Sequence, residues 1–277
     1  MIFLRRALLA AVLATVAILP AACGHDSAPS NASAAPASSG SAAGAAQKPA
    51  IAAADAAPPA AQTGGFDGAA AYDYTAKLVA FGPRPPGSDA IHRTQDYIVG
   101  QLKSFGCAVD TDAFHADTPV GSVAMKNIIA KVPGEGYGII LLLTHYDTVR
   151  LDHFVGAEDG GSSSGLMLEM ARLLCAGPKR KYAVWIAFLD GEEDQQNFET
   201  AQQAQTTWNN DDTTFGSREL AARMDLSGEI KNIKAVILAD MIGQKNLQIE
   251  RDTNSTPWLQ SLVWKTADRL GYGKIFG

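Results

Sequence analysis

The sequence predicts an α/β fold, with a mixed and mostly parallel central sheet flanked by helices on both faces. Two observations carry this. Ile139–Leu143 and Tyr182–Leu189 are continuous apolar runs and Ile233–Ala239 is apolar but for Lys234, as expected of strands covered on both sides. Segments with helical spacing of apolar residues alternate with them, and no internal repeat interrupts the series.

Tyr72 to Phe81 has helical periodicity and stops at Gly82-Pro83-Arg84-Pro85-Pro86-Gly87, a run too rigid to continue a helix. Ser88 then caps a second helix, with Ile91, Ile98, Leu102 and Phe105 on one face. Short strands are expected at Ala108–Phe114 and Asn127–Val132, ahead of the first apolar run. Gly165–Cys175 reads as a helix through Leu166, Leu168, Met170, Leu173 and Leu174, and Ser217–Met224 as another. Thr256-Pro257 opens a last helix that Gly271 closes, with proline and glycine at the ends each prefers.

Before residue 66 the chain is of another kind. Arg5 and Arg6, the apolar stretch Ala7–Leu19 and small residues before Cys23 have the order of an export signal. The stretch is too short to span a bilayer. Pro20-Ala21-Ala22-Cys23 resembles the cleavage box of a bacterial lipoprotein, whose cysteine carries the lipid; ordinary cleavage near Ala22 is the alternative. Residues 24–65 are mostly Ala, Ser, Pro and Gly, and so little burial cannot offset ordering entropy, so a disordered spacer is expected. The organisation read here is a leader over 1–23, a spacer over 24–65 and one domain over 66–277. The expected location is the cell envelope after export, periplasmic or lipid-anchored. With Cys23 lipidated, Cys107 and Cys175 remain, either as a bridge of an oxidising compartment or as two buried thiols.

The balance of 23 basic against 29 acidic residues, net −6, argues against a nucleic-acid partner held by phosphate contacts. Membrane contact is expected only through the lipid anchor, and the oligomeric state is left open.

Each apolar strand runs into polar side chains. The first ends Thr144-His145-Tyr146-Asp147, the second Asp190-Gly191-Glu192-Glu193-Asp194, and the third Asp240-Met241-Ile242-Gly243. Asp159 precedes the glycine- and serine-rich start of a helix. Ligands of open α/β sheets bind outside the carboxyl ends of the strands, so these clusters should converge. One imidazole and several carboxylates at one rim repel each other unless a cation neutralises them, which suits a catalytic Zn²⁺ site. Adjacent glutamates allow one to bind metal while the other stays free as general acid and base.

Five strings in this order, His145-Tyr146-Asp147, Phe154-Val155-Gly156-Ala157-Glu158-Asp159, Phe188-Leu189-Asp190-Gly191-Glu192-Glu193, Phe215-Gly216-Ser217-Arg218 and Asp240-Met241-Ile242-Gly243, resemble the zinc exopeptidases of metallopeptidase family twenty-eight. Within it the branch that includes glutaminyl-peptide cyclotransferases fits best. The resemblance runs from about Tyr74 to the C-terminus and implies a three-layer sandwich. It assigns Asp159 and Glu193 to the catalytic zinc and Glu192 to proton transfer. In two-metal relatives Asp159 would bridge and His145 and Asp240 would hold the second ion, whereas in one-zinc cyclases Asp240 hydrogen-bonds within the site. Trp208 is either a pocket wall or a packed loop aromatic, and Arg84 belongs to a structural turn. The family's remaining zinc ligand is a histidine from the C-terminal part of the domain, and none follows His153 here. His25, His92 and His115 are poor substitutes, and His153 is the nearest in the chain. A domain lacking its C-terminal part is the expectation.

Three functions are compatible with these residues. The first is zinc-dependent cyclisation of N-terminal glutamine on peptides, with one zinc. The second is an aminopeptidase using one or two. The third is a non-catalytic envelope lipoprotein with an incomplete metal site.

Overall fold

The computed structural model describes residues 57–277. The leader, most of the spacer, Cys23 and His25 lie outside the described residues. Contacts separate the chain into two compact units, one ending at Gln248 and one containing Ile249–Gly277.

The larger unit opens with a 3-10 turn at Ala60–Gln62, within the expected spacer, and then α1 (Gly68–Val79), which Asp67 caps by accepting from the Ala69 and Ala70 amides. The Pro-rich turn leads to α2 (Asp89–Ser104), capped by Ser88 through the Ile91 amide. A long hairpin follows, β1 (Ala108–Thr118) and β2 (Gly121–Val132), then β3 (Ile139–His145) and α3 (Ser163–Ala176). Next come β5 (Ala183–Leu189), the short α4 (Ala201–Thr206), α5 (Phe215–Ser227) and β7 (Ile233–Leu238). Two-residue strands β4 (Arg150–Leu151) and β6 (Asn197–Phe198) pair in a separate ladder.

The main sheet has the order β1-β2-β5-β3-β7. It is mixed: β5, β3 and β7 run parallel, and the β1–β2 hairpin adds antiparallel junctions with itself and with β5. Strand alternation divides the apolar side chains between two cores. Ile128, Ala130, Leu142, Val184, Ile186 and Phe188 pack with Ile91, Ile98 and Leu102 of α2 and Leu168 and Ala171 of α3. Ile129, Leu141, Leu143, Ala187 and Leu189 pack on the other face with Leu220 and Met224 of α5. Helices therefore cover both faces in a three-layer sandwich.

One strand departs from the expected pattern. Ile233–Ala239 reads as doubly covered, yet Val236, Ile237 and Leu238 are 41%, 36% and 45% exposed. The reason is placement: among the described residues β7 is an edge strand whose sole neighbour in the sheet is β3. An apolar run records β propensity, and it does not record how many neighbours the strand will find.

Cys107, just before β1, and Cys175, near the end of α3, form a disulfide across 68 residues of chain. Closing a loop of that length restricts the unfolded chain, and native bridges stabilise by about 2–4 kcal/mol. Reduction, or the Cys107→Ser/Cys175→Ser pair of substitutions, should therefore lower the melting temperature by several degrees in a scan with and without dithiothreitol. An unchanged transition would mean that the bridge contributes nothing.

In the smaller unit, α6 (Pro257–Arg269) starts with its proline at the first turn, and Gly271 follows it at φ 86°. Trp264 meets Phe276 edge to face at 5.3 Å and carries Arg251 over its ring at 4.7 Å. Its indole N–H donates to the Gly277 carbonyl at 2.6 Å. Among the described residues no helix is long and apolar enough to cross a membrane.

Candidate metal centre

β3 delivers His145 at its carboxyl end, with 1% of the side chain exposed. The first turn of α3 fixes that end of the strand: Ser164 Oγ donates to the His145 carbonyl at 2.7 Å, and Thr144 Oγ1 to Ser163 Oγ at 2.8 Å. Two residues on, Asp147 is fully buried and joins the first strand-end loop to the second. It accepts from the backbone N–H groups of Glu192 at 3.1 Å and Glu193 at 3.2 Å, and one oxygen lies 3.4 Å from His145 Nδ1.

Asp159 comes from a tight turn, Ala157–Ser162, in which it alone of the acidic residues has extended backbone angles (φ −79°, ψ 112°). Glycines permit this turn. Gly156 has φ 50°, and a Cβ there would lie 2.6 Å from the Asp159 carbonyl oxygen; Gly160 has φ 72°, and a Cβ there would lie 2.9 Å from the His145 ring. Arg84 holds the turn from below. Fully buried, it donates from Nε to the Tyr146 carbonyl at 2.6 Å, and from its two terminal nitrogens to those of Val155 at 2.5 Å and Gly156 at 2.9 Å. Burial lowers its pKa to about 10, with Asp147, Asp159 and Glu193 working the other way, so it stays charged at neutral pH.

The side chains then converge. His145 Nε2 lies 3.0 Å from Asp159 and 3.2 Å from Asp240, which follows β7. Ligand atoms of His145, Asp159 and Glu193 all fall within 4.8 Å of one another. Glu193 is 4% exposed, and its Oε1 is buried without a hydrogen-bond partner. Glu192 is less enclosed, and its carboxylate makes no hydrogen bond or ion pair among the described residues.

The electrostatics reflect how closely the carboxylates crowd. Burial, then Asp159, pushes the Glu193 carboxyl well above the carboxylate range, and burial with Asp147, Asp240 and Asp159 raises Glu192 to about 7 against the opposing effect of His145. Burial alone would lower the His145 pKa, but hydrogen bonds to Asp147, Asp159 and Asp240 outweigh it and raise it well above 6.5. The Asp240 carboxyl, despite burial, is lowered by its bond to His145. Protons thus collect where negative charge crowds. One imidazole and two carboxylates, one of them with an orphaned oxygen, are an N/O donor set of three that fits a divalent cation such as zinc.

The sequence model of Peptidase family M28 matches residues 127–274, over half of the chain. The chain belongs to peptidase family M28. Among solved structures, a glutaminyl cyclase from an Acidobacteriales bacterium is 39% identical with a TM-score of 0.69, over 83% of this chain and 75% of that one. A leucine aminopeptidase precursor from Bacteroides thetaiotaomicron is 30% identical with a TM-score of 0.65, over 76% of each chain. The glutaminyl-peptide cyclotransferase of Drosophila melanogaster is 27% identical over 168 residues, 58% of this chain and 45% of that one. The chain spans about half the length of the curated relatives it matches.

In this M28 chain, His145, Asp159, Glu193 and Asp240 come together, with Glu192 next to them in the chain. His145, which the resemblance groups with Asp240 and a bridging Asp159 in two-metal relatives, lies against both carboxylates. His153 does not join them: it is exposed, on a turn with φ 62°. Trp208 is 41% exposed and donates its indole N–H to Asn210 at 3.2 Å, and among the described residues it has no hydrogen bond to the cluster. The loop that carries it is tied to the second strand end by Asp194, which accepts from the Asn209 amide at 2.7 Å. Sequence reasoning missed the roles of Asp147, Ser163 and Ser164, and missed that Arg84 reaches the Asp159 turn. The His145-x-Asp147 spacing was the available signal for Asp147. Ser164 and Arg84 act on backbone carbonyls and Ser163 on a hydroxyl, each distant in the chain, which leaves no local trace.

Proposed function

We propose that the chain is a zinc-dependent glutaminyl-peptide cyclotransferase-like enzyme, converting N-terminal glutamine of peptides to pyroglutamate with release of ammonia. The observation that carries the reading is the division between the two glutamates: Glu193 buried with an orphaned oxygen in the ligand cluster, Glu192 beside it, less enclosed and unbonded. The cyclase relatives support the same assignment. His145, Asp159 and Glu193 would hold the ion, with Asp240 against the imidazole. Bound there, zinc supplies a Lewis acid for the substrate's side-chain amide carbonyl. Glu192 takes a proton from the substrate's α-amine as its nitrogen bonds to the amide carbon. The carbon–nitrogen bond to the amide then breaks, and Glu192 returns the proton to the departing ammonia. Asp147 keeps both glutamates in place through their backbone amides. One ion suffices for this chemistry, because no water is activated.

An aminopeptidase with the same residues is the second reading, favoured by the likeness to the leucine aminopeptidase precursor. Ammonia release from a Gln-peptide, compared with amino-acid release from a Leu-peptide, separates the two. Inactivity on both, with stoichiometric zinc present, would refute both. Glu193→Gln should lower zinc occupancy tenfold or more, on the order of the loss when a ligand's charge and geometry are disturbed. Metal analysis after dialysis checks it, and full occupancy would remove Glu193 from the ligand set.

The leader with Arg5, Arg6 and Cys23 supports export and a lipid anchor, and the Cys107–Cys175 bridge suits an oxidising compartment. Cell fractionation tests the location.

A further inference from the structure

A groove of about 510 Å³, within the ~300–1,000 Å³ of small-ligand sites, is lined by Ser88, His92, Ser122, Arg150 and Asn197 among others. At His92 and Ala124 it meets a smaller hollow that adds His115 and Lys126. Every ionisable side chain lining the two is basic or an imidazole, and no Asp or Glu lines either, in a chain of net charge −6. Chance would put acids there, since they outnumber basic residues 29 to 23.

Arg150 is the most enclosed of these cations. It donates to the Pro86 carbonyl, its Nε is buried without a partner, and it forms no ion pair among the described residues. The carboxylates whose charge reaches it, Asp147 and Asp190, are fully buried and line neither hollow. The groove is also continuous with the metal centre through the chain. Arg150 and Asn197 are paired across the β4–β6 ladder. β4 follows the His145–Asp147 loop, β6 follows Glu192–Glu193, and Pro86–Ser88 follow Arg84. Segments that adjoin His145, Glu192–Glu193 and Arg84 in the chain therefore line the groove, whereas the Asp159 turn and Asp240 do not.

We propose that this groove binds acidic side chains of the peptide substrate downstream of its N-terminal residue, an inference that rests on the reading of the chain as acting on peptide N-termini. A guanidinium already fixed by one carbonyl, with His92 on the same groove and His115 and Lys126 on the adjoining hollow, suits carboxylates better than any other peptide side chain. The metal centre would select the N-terminal residue, and the groove would select the side chains after it.

The test uses the zinc-loaded full chain and three fluorescent peptides, Gln-Glu-Glu-Gly, Gln-Lys-Lys-Gly and Gly-Glu-Glu-Gly, with binding read by anisotropy at low salt. Ammonia release from the two Gln-peptides is measured in parallel. The acidic Gln-peptide should bind about tenfold tighter than the lysine peptide, the scale of one charge-assisted hydrogen bond. Arg150→Gln and Ser122→Glu should each cut that ratio to about threefold or less; Ser122 is exposed, so its substitution leaves the Arg150 hydrogen bond intact and decides the matter if Arg150→Gln fails to fold. Equal binding of acidic and lysine peptides by the wild type, or a ratio unchanged in Ser122→Glu, overturns the proposal. Tight binding of Gly-Glu-Glu-Gly without ammonia from either Gln-peptide would support the groove and refute the cyclase reading. Ammonia from both at equal efficiency would do the reverse.

Discussion

Glu192→Gln should abolish turnover while zinc stays bound. The amide has the shape of the carboxylate but cannot take up the α-amine proton, and general acid–base groups contribute typically about 10²–10⁴ in rate. The same group is asked to act twice, as acceptor and then as donor to the leaving ammonia, so the upper part of that range is expected. Occupancy should hold, because the proposed ligands are His145, Asp159 and Glu193, whose ligand atoms cluster without Glu192. KM should change little, since the Glu192 carboxylate holds no neighbour in place and its amide bond to Asp147 comes from the backbone. Steady-state kinetics beside metal analysis checks both halves. Wild-type turnover in Glu192→Gln would end its assignment as proton carrier, and loss of zinc would make it a ligand instead.

Arg84→Met should be the most destabilising single substitution in the site's support. It removes a cation that fills its buried space and leaves the carbonyls of Tyr146, Val155 and Gly156 without partners. Each buried group left unpaired costs about 1–3 kcal/mol, and the total should reach about 3–5 kcal/mol. The local effect is as informative as the global one. Val155 and Gly156 lead into the Asp159 turn, so zinc affinity should fall even where the protein remains folded. Arg84→Lys separates charge from geometry: a lysine keeps the cation but has no planar fork to reach three carbonyls. Chemical denaturation and zinc titration of both variants measure this. Stability and affinity both at wild-type level in Arg84→Met would show that the turn holds Asp159 without it.

Much of the centre was legible because its chemistry lies in short strings. An apolar strand ending in a histidine or in paired glutamates announces both the element and its functional end, since open α/β sheets present ligands there. Helix boundaries were legible where caps are local: Ser88 and Pro257 stand where their side chains act. The first strand-end loop was less so. Nothing near Tyr146 shows that its hydroxyl will donate to Asp190, and nothing near Arg84 shows that its guanidinium will reach residues 62 to 72 positions away.

What the amino-acid sequence determined by itself is the kind of fold, the place of most elements and the residue types at the strand ends. Those depend on periodicity, propensity and capping, which act over a few residues. The tertiary structure alone decided that β7 lies at an edge, that Cys107 and Cys175 meet, that Arg84 supports the Asp159 turn, and that His153 stays outside. Each of those depends on distances between segments far apart in the chain. Strand order and packing set such distances, and no local pattern encodes them.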